Sequence, residues 1–370
     1  MVEHQQELDE LRTSIRKFLN TRMPESRVRE LIESDAPFDP ELWAEMGSML
    51  GVHGLAIPEK FGGDGFGLLA AAVVFEELGR ALTPVPYFST FVAAQTLLAV
   101  GDDDICAQYL PGVASGATRL SVAAAEKDGS WDAAVIKTRA TQNPDGTWQL
   151  DGAKYFVPDA ATAHLLIVFA RTTAGPTVFA VDPAAQGVQI TPMQVLDATR
   201  PLAVVTLTSA PAQLIGRQGG GGAVLARSLD FAALALAAEG VGAAQYGLEI
   251  SVEYATMRQQ FGRPIGSFQA VKHLCAEMLA QVELARAATE DALLLTDAGS
   301  PDSAIATAAA HITTSAAAMF VAKETIQVHG GVGFTWEHPA HFYFRRAKAS
   351  QMLLGGPSLS HERLLDRMGI

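Results

Sequence analysis

The sequence is short of the residues that several kinds of protein require. Among 370 residues there are two cysteines, Cys106 and Cys275, too few for a disulfide framework or a thiolate metal site. Aromatic residues make up only 7 %. Basic residues are outnumbered, Lys+Arg 27 against Asp+Glu 40, for a formal net charge of −13. That balance argues against nucleic acid or an anionic membrane as the main partner, though one basic groove can lie beneath it. The longest uninterrupted apolar run, around Ala232–Ala238, falls far below the ~20 residues of a membrane span. The N-terminal stretch up to Leu19 is charged and amphipathic and lacks the apolar core of a signal peptide. A soluble cytoplasmic protein is therefore expected, with no nucleic-acid partner and no membrane span.

What is present is a globular balance, 49 % hydrophobic and 18 % charged. The length allows two or three domains and a substantial core. Alanine is plentiful, and small side chains favour closely packed helices. Leu8, Leu11, Ile15, Phe18 and Leu19 recur at spacings of three and four, a helical period that continues to about Thr118. Loops are expected at Ala36–Pro40 and at Pro58–Gly65, each rich in proline or glycine. Between about Arg119 and Leu214 the period changes to short β-branched or alternating runs, among them Ala134–Thr138, Leu165–Phe169, Thr177–Val181 and Ala203–Leu207. No crossover helix separates these runs, so an antiparallel sheet is expected. Gly219–Gly222 forms a joint and not a phosphate loop, since no Lys-Ser/Thr follows it. The helical pattern then returns. A run to Gln260 is long enough to imply a bundle, and further helices are expected over about Phe268–Ala298 and Asp302–His329. The fold class is α+β: an N-terminal helical domain (1–118), a middle antiparallel sheet domain (119–215) and a C-terminal four-helix bundle (223–370).

Two segments carry chemistry. In Met257–Gln269 a long helix ends near Arg258, a Gly/Pro loop turns the chain, and Gln269 opens the next helix. A fixed cation beside exposed N–H groups suits a phosphate; an ordinary helix–loop–helix corner with a surface Arg reads the same way. In Gln327–Phe334, consecutive glycines after a helix permit a C-cap or the close approach of backbone to a ligand.

In this order, the two segments resemble the signatures of the acyl-CoA dehydrogenase family, Arg-x-x-Phe-Gly-x-x-Ile-x-x-x-Gln and Gln-x-x-Gly-Gly-x-Gly. The resemblance extends over nearly the whole chain, and Pro58–Gly65 looks like the family's N-terminal loop. It implies FAD bound between subunits, with Arg258, Phe261 and Gln269 on the pyrophosphate and adenosine. Gln327, Gly330 and Gly331 would approach the cofactor from a neighbouring subunit. It also implies α,β-dehydrogenation of an acyl-CoA thioester: a carboxylate removes the α-proton, the β-hydride passes to flavin N5, and electrons leave to an electron-transferring flavoprotein. The assembly implied is a homotetramer, or a heterotetramer with a related subunit.

The chain departs from the family pattern at the base. Leu354 stands at the usual Glu position, and Ala232 at an alternative position on the long helix. Asp230 resembles the family's substrate-contacting Asp. Glu239, two helical turns from Ala232 and without a charged neighbour on its own helix, is the candidate base. It is expected to be desolvated, with a raised pKa; the competing account is a structural Glu bonded to another helix or facing a subunit interface. The flavin-facing stretches are altered too: Ala123–Lys127 replaces Val-Thr-Glu-Pro, and Phe156-Val157-Pro158 replaces Trp-Ile-Thr. Pro158 offers neither hydroxyl nor N–H, which leaves backbone groups at Ala125 or Val157 to serve the flavin. His329, His338, His341 and His361 match no metal spacing and are expected at the surface or an interface. Arg345–Lys348 is expected on a solvated face, although CoA phosphates or an acidic helix are other partners for it.

The leading expectation is a flavin-dependent dehydrogenase resembling actinobacterial members that act on bulky CoA thioesters, steroid side chains included. The alternative is a non-catalytic partner subunit that completes a neighbour's FAD site. A flavoprotein oxidase on the same fold is a third.

Overall fold

The computed structural model describes residues 2–34, 36 and 38–370; Pro37, within the first expected loop, lies outside them. The chain forms two compact units. One gathers the described residues up to Glu30 with Leu68–Thr83 and Ala233–Ile370; the other comprises Leu31–Gly67 and Pro84–Ala232.

The first unit is helical. Helix α1 (Val2–Arg22) buries Ile15 and Leu19 of the expected stripe, and α2 (Glu25–Glu33) follows. Within α4 (Leu68–Ala81) even Glu76 and Glu77 are buried. Buried carboxylates need cations, and three arginines supply them. Arg12 and Arg286 both reach Glu76 Oε2, at 2.6 and 2.9 Å, while Arg16 forks onto Glu77 at 2.6 and 2.8 Å. The bundle proper consists of α7 (Gly221–Met257) from Ala233 onward, α8 (Gln269–Asp297), α9 (Ser303–His329), α10 (Ala340–Leu353) and α11 (Gly356–Met368). The α8 and α9 bounds fall within a residue of the periodicity. Helices α4 and α7 cross at backbone contact. A Cβ on Gly79 would lie 2.1 Å from the Glu239 carbonyl oxygen, and one on Gly242 1.8 Å from that of Glu76. Only glycine permits the crossing at these two positions.

The second unit holds α3 (Pro40–Leu50), α5 (Tyr87–Val100), α6 (Asp103–Ala114) and a seven-stranded sheet. Helix α3 begins where the sequence places a cap: Asp39 Oδ1 accepts from the N–H groups of Glu41 and Leu42, with Pro40 next. The strands are β1 (Leu120–Ala123), β2 (Arg139–Gln142), β3 (Trp148–Pro158), β4 (Leu165–Thr172), β5 (Gly175–Val181), β6 (Val188–Pro192) and β7 (Leu202–Ile215). Most pairs are antiparallel, as expected, but β1 runs parallel to β4 over Leu120↔Leu165 to Ala123↔Val168, and β2 meets β4 in parallel at Arg139↔Arg171. A parallel pair needs a long crossover, which need not be helical: the segment with β2 and β3 joins β1 to β4, and the segment with β3 joins β2 to β4. Pairing of β5 with both β4 and β7 closes the ring β4-β2-β3-β7-β5. Phe179, Leu166, Leu150 and Val205 fill its core.

Two helices bear on the expectation of no membrane span. Gly221–Met257 and Ser303–Phe334 are each long and apolar enough to cross a bilayer, with 18-residue windows of mean hydropathy 1.4 and 1.5. Their apolar residues are interrupted by polar ones, so neither helix contains a long uninterrupted apolar run. Their windows are 72 % and 39 % buried within the protein, and core helices of a bundle meet the same measure.

Candidate active site

Helix α7 ends at Met257, and the Arg258 N–H closes its last turn on the Tyr254 carbonyl at 2.8 Å. The chain then makes a two-residue hairpin: β8 (Gln259–Gln260) pairs with β9 (Arg263–Pro264) around Phe261 and Gly262. Both central residues have positive φ, 53° and 77°, the signature of a type I′ turn. Phe261 therefore holds a conformation that costs a non-glycine residue energy, and its ring stands 90 % exposed. Its edge meets Phe268 at 6.1 Å, and the Arg263 guanidinium lies 4.0 Å above that same ring. Arg258 is exposed, and its guanidinium has no ion-pair or hydrogen-bond partner among the described residues. Gln269, also exposed, opens α8, whose cap residue Phe268 offers no side-chain acceptor. The first N–H groups of that helix are left open.

The second signature ends α9. Gln327 is exposed and His329 is buried. Gly330 has φ +60°, and a Cβ on either Gly330 or Gly331 would meet only open space. A 3₁₀ turn over Gly330–Phe334 then exposes Val332 and Phe334. The His329 ring packs 4.5 Å from that of Tyr254, one turn before Arg258. The two signatures, some sixty residues apart in sequence, therefore meet at one end of the first unit. An unpaired cation, an outward aromatic face, open helix N–H groups and unobstructed glycine backbone fit the diphosphate and adenine of a dinucleotide.

The other candidate cofactor residues lie in the second unit, where Ala125 and Val157 are buried. Tyr155 N–H donates to the Ala125 carbonyl at 2.9 Å, and Ser121 Oγ donates to the Pro158 carbonyl at 2.6 Å. The buried Ala125 N–H has no acceptor among the described residues. An orphaned buried donor is uncommon, and a flavin ring carbonyl is a fitting acceptor for it. Between these residues β3 departs from its register with β7, and Phe156 takes φ +57°. Such bulges re-aim side chains.

The carboxylates differ most from expectation. Glu239 is buried on α7, as expected, but it is not a lone carboxylate: Arg346 of α10 donates from Nη1 to its Oε1. Arg346 is correspondingly buried and not on a solvated face. Inspection of helical neighbours could not reveal a partner on another helix 107 residues away. Beside the pair lies a small cavity of about 20 Å³ lined in part by His311, Thr314 and Gln351. Asp230 is buried on α7, Ala232 is buried two residues on, and Leu354 is buried at the end of α10. His329 is also a correction, being buried against Tyr254 and His338, whereas His361, Lys272 and His273 are exposed. No cluster able to hold a metal exists among the described residues.

Family models for the acyl-CoA dehydrogenase N-terminal, middle and C-terminal domains match residues 5–117, 121–208 and 219–368. The chain belongs to the acyl-CoA dehydrogenase family, oxidoreductases that act on the CH–CH bond of acyl-CoA thioesters. It is 34 % identical to the acyl-CoA dehydrogenase IpdE2 of Mycolicibacterium smegmatis, over 97 % of this chain and 98 % of that one. A variant of the Tcur3481-Tcur3483 steroid ACAD superposes with a TM-score of 0.91 at 34 % identity, covering 99 % and 98 % of the two chains. The ChsE4-ChsE5 complex of Mycobacterium tuberculosis gives a TM-score of 0.89 at 29 % identity, covering 98 % and 97 %.

Proposed function

We propose that this chain is a subunit of an FAD-dependent dehydrogenase acting on a bulky acyl-CoA thioester. The observation that carries the proposal is the meeting of the two signatures at one exposed end of the first unit, with Arg258 unpaired and Phe261 outward. Arg258 would hold the diphosphate, Phe261 would offer a face to the adenine, and Gln269 with the open start of α8 would bind polar edges. Gln327, Gly330 and Gly331 would approach a cofactor shared with a neighbouring subunit. Ala125 N–H and the Val157 backbone would orient the ring system. When bound, FAD supplies the acceptor for the β-hydride. Glu239 is the candidate base for the α-proton, and Asp230 a candidate substrate contact. Electrons would leave to an electron-transferring flavoprotein. A bulky substrate is supported by the small residues on α7, Ala232 foremost, and by similarity to a steroid ACAD.

The test is the visible spectrum of the purified protein, alone and with any related chain that accompanies it. The expected result is FAD near stoichiometry, bleached by a steroid-side-chain CoA thioester faster than by butyryl-CoA. Arg258→Ala removes a charge-assisted contact worth about 1.5–3 kcal/mol, so FAD affinity falls roughly tenfold to a hundredfold. Turnover confined to short linear substrates would count against the bulky substrate.

One observation favours a second reading. The candidate base Glu239 is engaged by the buried Arg346 of another helix, as a structural carboxylate would be. With Leu354 and Ala232 at the two family positions, the chain would then complete a neighbour's site without supplying its own base. Two of the similar solved structures, the Tcur3481-Tcur3483 steroid ACAD and the ChsE4-ChsE5 complex, are named for pairs of chains. Undiminished turnover by Glu239→Ala in the assembled protein supports this reading; turnover lost with FAD retained supports Glu239 as base.

A further inference from the structure

Lys154 on β3 is among the largest side chains with full burial, 0 % exposed. A buried ammonium is expensive unless its protons are bonded, and an apolar residue of the same length would cost the fold less. The ammonium is bonded to two particular groups: Nζ donates to the Ala124 carbonyl at 3.0 Å and to Glu126 Oε1 at 3.1 Å. The same carboxylate oxygen accepts from Thr138 N–H at 2.6 Å, Thr138 Oγ1 at 2.8 Å and Lys137 N–H at 2.8 Å. These donors hold Glu126 below the usual carboxylate range against the opposing effect of burial, while burial lowers Lys154 to about 8.

The clamp lies at a particular place. Immediately beyond it, Tyr155 N–H holds the Ala125 carbonyl, and Ser121 Oγ holds that of Pro158. The two stretches 121–126 and 154–158 are thus laced side by side, across the point where Phe156 takes its positive φ. Ala125, flanked by two clamped residues, is the one whose N–H lacks an acceptor. A strained, fixed backbone with a spare buried donor is preorganisation, which stability alone does not demand.

We infer that Lys154 is a positioning residue for the cofactor: by fixing Ala124 and Glu126 it presents the Ala125 N–H to the flavin ring. The inference rests on the FAD reading above. It is tested by titrating FAD into the apoprotein, kept with any chain that co-purifies, using wild type, Lys154→Met and the double variant Lys154→Met/Glu126→Gln. Lys154→Met strands a buried carboxylate and so lowers stability; the double variant removes that charge and recovers most of the urea midpoint. Positioning predicts that FAD affinity stays at least tenfold weaker in the double variant. It also predicts faster amide exchange over residues 123–138 in the apoprotein, and a displaced flavin absorption maximum once FAD is bound. Recovery of affinity together with stability would make the role structural and overturn the inference. A wild type that binds no FAD overturns the FAD reading, and this inference with it.

Discussion

His311 shows how one buried residue ties stability to pH. It sits on α9 with no hydrogen-bond partner among the described residues, and burial, assisted by the nearby Arg363 charge, lowers it to about 4. The unfolded chain protonates it near 6.5. The folded state therefore binds fewer protons between those values, and stability rises with pH across that window. The contribution is fully present above pH 6.5 and is lost as the pH falls through 4. A shift of this size amounts to about 3 kcal/mol. Urea unfolding at pH 7 and pH 4.5 measures it, and His311→Leu should remove that share of the difference. Equal losses in both proteins would show that His311 contributes nothing. His329, His338 and His341 are lowered by burial as well, so the comparison with the variant isolates one residue. At this scale the sequence is a poor guide. Arg258, Phe261 and Gly330 are recognisable because their motifs are local. The Arg346 partner of Glu239 and the burial of Lys154 arise from tertiary packing, and nothing within four residues of either announces them.

Helices and strands follow the sequence better where their period is long. The bounds of α8 and α9 were legible because long alanine-rich, helix-forming runs stop at glycine- and proline-bearing breaks. The parallel β1–β4 ladder was not, since alternation shows which face is buried and not which neighbour is paired. Nor was the α4–α7 crossing, which depends on Gly79 and Gly242 meeting backbone across the interface. It yields a direct prediction. Gly242→Ala places a methyl where the Glu76 carbonyl stands, so the helices must part, disturbing the Glu76 contacts with Arg12 and Arg286. Overpacking of this kind costs about 1–3 kcal/mol and occasionally more, and the thermal midpoint should fall by several degrees. Gly222→Ala, on the same helix, meets nothing nearer than Ala133 Cβ at 3.9 Å. There the better helix propensity should leave stability level or raise it by about 0.5–1 kcal/mol. If both variants melt alike, the close approach is not what fixes the crossing.

At the scale of the whole molecule, the order helix–sheet–helix was legible from the change of period alone. The partition into compact units was not, because α1 and α4 pack with the C-terminal bundle through ion pairs such as Arg286–Glu76 that sequence order conceals. The surface carries a further signal. A chain with few aromatics places two almost fully outside: Phe261, and Phe334 at 81 % exposure. Met257, Val332 and Trp336 are exposed in the same two turns. Exposed apolar side chains of this kind on a chain of net charge −13 suit a surface that another subunit covers. Their place in the two signature turns, with Arg258 and Gly330, is where the proposed shared cofactor would meet a neighbouring subunit. Phe334→Asp adds a charge to an exposed turn, so the circular dichroism and thermal midpoint of the isolated chain should stay the same. Sedimentation velocity should show the wild type as an oligomer, alone or with its related chain, and the variant shifted toward free subunits. FAD retention should fall in step with assembly. If Phe334→Asp assembles as the wild type does, this end of the bundle is not the subunit contact, and the shared-cofactor arrangement fails with it.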